Sequence, residues 1–290
     1  MAEPNNPTSH GRSSHGRFVW YELMTTDMAA ASAFYAKVVG WGIEDASMPG
    51  MAYSLFTVAG ISVGGAMGVP ADAKTAGVKP GWIGYVGVDD VDAAADRVRQ
   101  LGGAVHVPPT DIPNISRFAV ASDPQKAAFV LVKWLRPRHG EPAELSAPGY
   151  IRWHELFAAD WEKAFAFYAE LFGWQNAGTD IDAAGAYRLF AAHGQTIGGM
   201  FTKPPARPVP FWLYYFNVDD IDAAAKRVKA GGGDIVNGPM QVLEGNWIVE
   251  CVDPQAVPFA LVGQRSRTPI GYFERTSGDP SKPRDRRWSW

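Results

Sequence analysis

The chain has 290 residues, 47% of them hydrophobic, which is enough for two domains that each bury a core. Its net charge of −3, from 27 basic and 30 acidic residues, argues against nucleic acid as a partner, because nucleic-acid-binding surfaces are basic. No apolar run is long enough to cross a membrane, and the N-terminus lacks the apolar segment of a signal peptide. We therefore expect a cytoplasmic protein with no membrane partner.

The first predicted element is a strand, FVWYELMT, that begins at Phe18. The small and apolar residues MAAASAFYAKVV predict a helix that begins after Asp27, whose carboxylate suits an N-cap, and ends at Gly40, which suits a left-handed C-cap. Short runs with strand character follow, separated by Gly, Pro and Asp turns. The same β-α-β-β-β order starts again with a second predicted N-cap at Asp90.

This arrangement is duplicated along the chain. With an offset of 133 residues (153 − 20), Trp20 and Glu22 coincide with Trp153 and Glu155. Repeats of this length indicate that one structural unit has been copied. The four predicted helix caps are Asp27, Asp90, Asp160 and Asp220. The sequence therefore predicts four βαβββ modules.

The modules pair into two domains. We expect a disordered tail at 1–16, a first domain at 17–135, a linker at 136–148, a second domain at 149–264 and a disordered tail at 265–290. The linker and the tails are rich in Pro, Gly and charged residues, which cannot bury a core. The duplication is compatible with a pseudo-dimeric monomer or with a homodimer.

Each half contains the pattern D-x-x-x-A-x-x-FY-x-x-x-x-GW after its first strand and DP before its last strand. These modules resemble the vicinal oxygen chelate superfamily, which includes glyoxalase I, bleomycin-resistance proteins and extradiol dioxygenases. The W-x-E-L and VDDVDAA motifs resemble its tandem two-domain branch, whose members carry glyoxalase or hydroxylase labels. The resemblance implies an α+β fold in which each domain is an incomplete eight-stranded barrel around a cavity.

Metal-dependent members of this superfamily take His, Gln or Glu ligands from strands 1, 4, 5 and 8 of a domain. The first-strand position coincides with Trp20 and Trp153, and an indole nitrogen only donates hydrogen bonds. The eighth-strand position coincides with Val130 and Ala260, and strands 4 and 5 offer no ligand. We therefore expect neither a metal site nor another cofactor in either domain.

Strand alternation places Phe18, Trp20, Glu22 and Met24 on one face of the first strand. In the superfamily this face lines the cavity. Glu22, like Glu155 in the second domain, would then be a single carboxylate among large apolar groups. Such a carboxylate finds hydrogen-bond partners or its pKa rises.

Three roles for Glu22 and Glu155 stay open: structural acceptors of hydrogen bonds, anchors for a polar group of a ligand, or catalytic acids and bases. Arg117, with Trp247 at the equivalent position, either points inward, toward Glu22 or an anionic ligand, or lies in solvent. The residues expected to contact a ligand are Trp20, Tyr53, Trp82, Arg117, Trp153, Tyr187, Trp212 and Trp247.

The leading hypothesis is a metal-independent protein that binds a small hydrophobic or aromatic molecule in one or both cavities. The alternative is a lyase, isomerase or hydroxylase-like enzyme, of the lyase or oxidoreductase class, that uses Glu22 or Glu155 for proton transfer or binds a metal through displaced ligands. A third hypothesis is an interaction protein that binds a partner through its C-terminal tail.

Overall fold

The computed structural model describes residues 14–75, 77–136, 147–182, 185–242 and 245–266. Most of the predicted N-terminal tail, linker and C-terminal tail lies outside the described residues. Gly16, at the end of the predicted N-terminal tail, donates its backbone N–H to the Gly87 carbonyl at 2.8 Å.

The described part of the first domain contains eight strands and three helices. Its first module consists of β1 (Phe18–Thr25), α1 (Met28–Val39), β2 (Gly42–Asp45), β3 (Tyr53–Val58) and β4 (Ile61–Gly68). A short helix, α2 (Ala71–Thr75), leads to the second module, which consists of β5 (Gly81–Gly87), α3 (Val91–Gln100), β6 (Ala104–Ile112), β7 (Ser116–Ser122) and β8 (Ala128–Trp134).

The second domain repeats this order. Its first module consists of β9 (Ile151–Ala158), α4 (Trp161–Phe172), β10 (Gln175–Asp182), β11 (Gly185–Ala192) and β12 (Gln195–Thr202). The last module consists of β13 (Phe211–Asp220), α5 (Ile221–Ala230), β14 (Asp234–Gln241), β15 (Trp247–Val252) and β16 (Pro258–Gln264). None of the helices in the described ranges is long and apolar enough to cross a membrane.

The predicted caps of the four long helices are confirmed. Each N-cap carboxylate accepts a hydrogen bond from a backbone N–H of the first helical turn, which satisfies a donor that the helix itself leaves unpaired. These N-caps are Asp27, Asp90, Asp160 and Asp220. Gly40 ends α1 with a φ of 90°, a left-handed conformation that glycine adopts without steric cost.

Each domain forms one open, mixed sheet of eight strands. The strand order is β2-β3-β4-β1-β5-β8-β7-β6 in the first domain and β10-β11-β12-β9-β13-β16-β15-β14 in the second. β1 runs parallel to β4 and antiparallel to β5, so the first strands of the two modules meet at the centre of the sheet. The α+β fold of four paired βαβββ modules is thereby confirmed.

The helices cover the convex face of each sheet, and the two domains interlock there. Helix α1 packs on β3 and β4 of its own domain and on α5 and β13 of the other. Tyr35 of α1 is fully buried, with its ring centroid 5.1 Å from Trp82, 6.1 Å from Phe216 and 5.2 Å from Phe259. One apolar core therefore extends through both domains, and the opposite, concave face of each sheet remains for a site.

Candidate functional site

Glu22 lies on the concave face of β1, at the centre of the first sheet. Its register partners are Gly65 of β4 and Ile83 of β5, and the glutamate is only 3% exposed. Its Oε2 accepts hydrogen bonds from the Tyr53 hydroxyl at 2.8 Å and from the Trp20 indole Nε1 at 3.4 Å. The structure thus brings three of the predicted site residues together.

The second carboxylate oxygen of Glu22 is not satisfied. Oε1 is buried and has no hydrogen-bond partner among the described residues. Desolvation raises the pKa of Glu22 to about 7, although the hydrogen bonds from Tyr53 and Trp20 act in the opposite direction. A buried acceptor without a donor is unfavourable, so Glu22 is a group that gains from accepting a hydrogen bond or a proton.

Tyr53 reaches Glu22 because position 65 has no side chain. A Cβ atom at Gly65 would lie 2.1 Å from the Tyr53 hydroxyl oxygen and 3.1 Å from Glu22 Oε1. In the second domain a Cβ atom at Gly199 would lie 2.4 Å from the Tyr187 hydroxyl oxygen. In both domains a tyrosine therefore crosses its neighbouring strand directly over a glycine.

Glu155 occupies the equivalent position in the second domain and is 7% exposed. The hydroxyl of Tyr187 donates to its Oε1 at 2.8 Å, and the hydroxyl of Tyr215 donates to its Oε2 at 2.8 Å. The Trp153 indole Nε1 donates to the Tyr187 hydroxyl at 2.9 Å instead of to the carboxylate. Both oxygens of Glu155 are therefore satisfied by side chains of the protein.

The two carboxylates differ in one partner. Tyr85 of β5 and Tyr215 of β13 occupy equivalent positions, each opposite the tryptophan of the first strand of its domain. Tyr215 donates to Glu155, whereas Tyr85 makes no hydrogen bond with Glu22, whose Oε1 stays unpaired. The first domain consequently has a carboxylate oxygen without a hydrogen-bond donor, whereas both carboxylate oxygens of the second domain have one.

Two aromatic residues of the first site were not predicted from the sequence. Trp134 of β8 packs edge-on against Trp20, with ring centroids 6.2 Å apart. Tyr85 shares the concave face with Ile83 because residues two apart in a strand point the same way. Ile83 lies opposite Glu22, and Tyr85 is two residues further along the same strand. Counting two residues from Ile83 would therefore have identified Tyr85 from the sequence.

Glu250 of β15 was also missed, and it adds a second buried carboxylate to the second domain. It is 4% exposed, and burial, together with the nearby charge of Glu155, raises its pKa to about 7. Arg207 lowers this pKa and lies over the ring of Phe211, 5.4 Å from its centroid. The equivalent residue of the first domain is Val120, so the acidic pair is confined to the second domain.

The space beside Glu250 is small. A cleft that is continuous with solvent is lined in part by Glu250, Arg207 and Phe211. A buried apolar cluster that includes Phe157, Leu213 and Tyr215 fills much of the remaining concave face.

Trp82 and Trp212, which were predicted to contact a ligand, lie on the convex face. Trp82 packs in the shared core, and the Trp212 indole Nε1 donates to the Tyr168 hydroxyl at 3.1 Å. The adjacent residues Ile83 and Leu213 take the concave positions opposite the two glutamates, and neighbours in a strand point to opposite faces. The two tryptophans are therefore not part of the concave site.

Arg117 and Trp247 also lie outside the concave surface. The Arg117 guanidinium donates to the Asp92 carboxylate at 2.7 and 2.8 Å and to Asp111 at 2.9 Å. Trp247 carries the guanidinium of Arg265 over its ring, 3.8 Å from the centroid. Of the two alternatives for Arg117, the structure shows the outward one, so it does not reach Glu22.

Open sheets built from paired βαβββ modules, with buried glutamates and aromatic side chains on the concave face, define this molecule as a tandem protein of the vicinal oxygen chelate type. The chain belongs to the Glyoxalase/Bleomycin resistance protein/Dioxygenase superfamily, whose sequence profile matches residues 17–131 and 150–258.

Two relatives match nearly the whole chain. The putative glyoxylase CFP32 of Mycobacterium tuberculosis is 35% identical over 246 residues, which is 84% of this chain and 93% of that protein. The anthracycline biosynthesis protein DauV of Streptomyces sp. strain C5 is 29% identical over 271 residues, which is 89% of this chain and 97% of that protein.

Solved structures show the same fold at lower identity. The Mn(II)-bound glyoxalase from Novosphingobium aromaticivorans has a TM-score of 0.58 and 20% identity, over 88% of this chain and 83% of that one. Homoprotocatechuate 2,3-dioxygenase from Arthrobacter globiformis has a TM-score of 0.61 and 15% identity, over 92% and 82%. At such identities the likeness establishes the fold alone.

The residues present do not fit the metal that this superfamily implies. The first-strand ligand position holds Trp20 in one domain and Trp153 in the other. In the described ranges no three His, Cys, Asp or Glu side chains come close enough to hold an ion. Sites of the family's type need three or four nitrogen or oxygen ligands around the metal. The concave face of the first domain carries Glu22, and that of the second domain carries Glu155 and Glu250.

Proposed function

We propose that the protein binds a small hydrophobic or aromatic molecule on the concave face of its first domain, without a metal, and that Glu22 anchors the ligand. The observation that carries this proposal is the buried, unpaired Oε1 of Glu22 beside the aromatic residues Trp20, Tyr53 and Trp134. Ligand sites typically combine an apolar lining with a few polar groups that fix the orientation of the ligand.

The same reasoning favours one ligand site over two. Glu155 has a hydroxyl donor on each oxygen, and apolar side chains cover the sheet around it. A ligand in the second domain would have to displace Tyr187 or Tyr215 from the carboxylate. We assign Glu155 a structural role and place the ligand at Glu22.

The name of one of the two relatives supports an aromatic ligand. Anthracyclines are planar, fused-ring compounds, and one relative is named for their biosynthesis. Aromatic side chains bind such rings by stacking and edge-to-face contacts. This agreement supports the class of ligand and does not identify the compound.

Titration with naphthalene derivatives, followed by equilibrium dialysis, tests the proposal. Trp20→Ala removes an aromatic residue beside Glu22 and should weaken binding about tenfold, since a buried contact of this kind contributes about 1 kcal/mol or more. Trp153→Ala, the same change at the equivalent position, should leave binding unchanged. Absence of saturable binding, or equal weakening by the two variants, would argue against the proposal.

Acid–base catalysis in the same site is a second candidate function, and the pKa of about 7 of Glu22 favours it. A catalytic acid or base is most effective when its pKa lies near the working pH. Glu22→Gln keeps the size of the side chain but cannot transfer a proton. It should therefore abolish conversion of a bound compound, followed by mass spectrometry, while binding remains measurable. Conversion at an unchanged rate would reject this function.

A further inference from the structure

Tyr215 gives the second domain a hydrogen bond that has no counterpart in the first. Its phenolic hydroxyl donates to Glu155 Oε2 while Tyr187 donates to Oε1. In the first domain the matching tyrosine, Tyr53, donates to Oε2 of Glu22, and Oε1 has no donor. The carboxylate of the first domain therefore lacks one hydroxyl donor of the kind that the second domain supplies from its own chain.

Tyr85 lies beside this missing donor. It is half-buried on the concave face of β5, diagonally across from Glu22, at the position from which Tyr215 reaches its own glutamate. Burial and the nearby carboxylate of Glu22 raise the pKa of Tyr85 well above its usual range, so its hydroxyl keeps its proton and can donate it. A group that bridges the two would accept from Tyr85 and donate to Glu22.

Few functional groups meet both requirements. A hydroxyl donates one hydrogen bond and accepts others, whereas an ether oxygen only accepts and an ammonium group only donates. A phenolic or enolic hydroxyl is a better donor than an alcohol, and its hydrogen bond to a carboxylate is strengthened by the charge. The rings of Trp20 and Trp134, which meet at an angle of 78°, provide apolar lining for the attached ring.

We infer that the ligand of the first domain carries a phenolic or enolic hydroxyl group, which donates to Glu22 Oε1 and accepts from the Tyr85 hydroxyl. This inference rests on the proposed function and adds the chemical class of the ligand. It also explains the difference between the domains, because Tyr215 occupies on Glu155 the place that the ligand takes on Glu22. One molecule should therefore bind per chain.

Equilibrium dialysis of the full chain at pH 8, above the pKa of Glu22, against 2-naphthol and its methyl ether, 2-methoxynaphthalene, tests the inference. The two compounds share a ring system, but only the naphthol can donate a hydrogen bond. We expect the naphthol to bind about tenfold more tightly, as the loss of one charged hydrogen bond implies. Glu22→Gln should reduce this preference to about twofold, because its amide can donate to the ether oxygen. Glu155→Gln, the matched control, should retain the tenfold preference.

The outcomes separate the inference from the proposed function. Equal binding of both compounds to the full chain would overturn the inference and leave the proposed function standing. Binding of neither would overturn both. A preference that persists in Glu22→Gln, or one that disappears in Glu155→Gln, would overturn the assignment to Glu22.

A second variant keeps the inference testable if Glu22→Gln does not fold. Tyr85→Phe removes the donor but leaves the carboxylate in place. Both probes accept from Tyr85, so both should bind several-fold more weakly while the preference for the naphthol remains. Unchanged affinity of Tyr85→Phe for both probes would overturn the role of Tyr85.

Discussion

Tyr21 and His154 occupy equivalent positions in the two halves of the chain, and their side chains are in direct contact. The Tyr21 hydroxyl lies 2.5 Å from Nε2 of His154, and Nδ1 of the same ring lies 2.6 Å from the Ile197 carbonyl oxygen. A carbonyl only accepts, so Nδ1 carries the proton and Tyr21 donates to Nε2. Residues that contact their own counterparts lie on the pseudo-twofold axis between the domains.

A second pair on this axis shows how the duplicated halves have diverged. Gly84 and Tyr214 are equivalent residues, and the Gly84 backbone N–H donates to the Tyr214 hydroxyl at 2.7 Å. A Cβ atom at position 84 would lie 2.8 Å from that hydroxyl and 2.8 Å from the ring of Phe18. Two tyrosines could not occupy both positions, so the two halves must differ here.

We predict that Tyr21→Phe destabilises the protein. Desolvation lowers the pKa of His154 to about 4, so the buried ring is neutral near pH 7 and its Nε2 needs a donor. Leaving that acceptor unpaired should lower the free energy of unfolding by about 1–3 kcal/mol, as measured in urea. Tyr85→Phe, which breaks no hydrogen bond to Glu22, should cost less than about 0.5 kcal/mol. Equal stability of Tyr21→Phe and the natural chain would contradict the donor assigned to His154.

Reciprocal contacts between the domains lead to a second prediction. Tyr35 of α1 donates to Asp253 of the second domain at 3.2 Å, and Tyr168 of α4 donates to Asp123 of the first at 3.2 Å. Each aspartate lies in the turn before the last strand of its domain and is 2–3% exposed. Separating the halves would expose both tyrosines and the aromatic core around them.

Neither half should therefore fold alone. A chain of residues 14–136 is expected to give no cooperative thermal unfolding transition as a monomer, because its convex aromatic face lacks the second domain. Addition of a chain of residues 147–266 should restore both the transition and a one-to-one complex in size-exclusion chromatography. A stable, monomeric 14–136 fragment would show that the domains are independent.

Features that depend on local sequence were predicted well. An N-cap such as Asp27 acts on the helix that follows it directly, so its role is visible in a short stretch. Strand alternation put Trp20 and Glu22 on one face of β1, and the resemblance to the superfamily implied that this face is the concave one. Neither prediction depends on which distant strand pairs with β1.

The errors arose where pairing with another strand decides the orientation. Phe18 was predicted to share a face with Trp20, but a bulge between them turns Phe18 into the domain interface, where it stacks on His154 with centroids 4.0 Å apart. On β5 the prediction was wrong by one residue: Trp82 was assigned to the site, whereas the neighbouring Ile83 faces it. A shift of one residue along a strand exchanges the two faces of the sheet. Trp247 was predicted to contact a ligand, but Glu250, an odd number of residues away on the same strand, is the residue that takes the concave face.

Glu22 should make the stability of the protein depend on pH. Its pKa is about 7 in the folded chain, against 4.5 for an ordinary glutamate. Between these values the folded state holds a proton that the unfolded state has released. The contribution of Glu22 to the free energy of unfolding is therefore greatest at low pH and falls by about 3 kcal/mol as the pH rises from 4.5 to 7.

Glu22→Gln removes this titration. Comparison of the variant with the natural chain therefore separates the contribution of Glu22 from that of other buried acids. The free energy of unfolding of the variant, minus that of the natural chain, should rise between pH 5 and 8 by about 2–3 kcal/mol. Glu44→Gln, on the exposed strand β2, controls for the loss of a surface carboxylate. A difference that stays constant with pH would mean that Glu22 does not gain a proton on folding.

Gly65 gives the sharpest test of how the site is assembled. A methyl group at this position would overlap the Tyr53 ring and force the hydroxyl away from Glu22. Gly65→Ala should lower the free energy of unfolding by about 1–3 kcal/mol and weaken binding of 2-naphthol about tenfold. Gly68→Ala, three residues along the same strand, adds its methyl group to open space and should change neither quantity. If both variants bind the naphthol as well as the natural chain does, then the contact between Tyr53 and Glu22 does not organise the proposed ligand site.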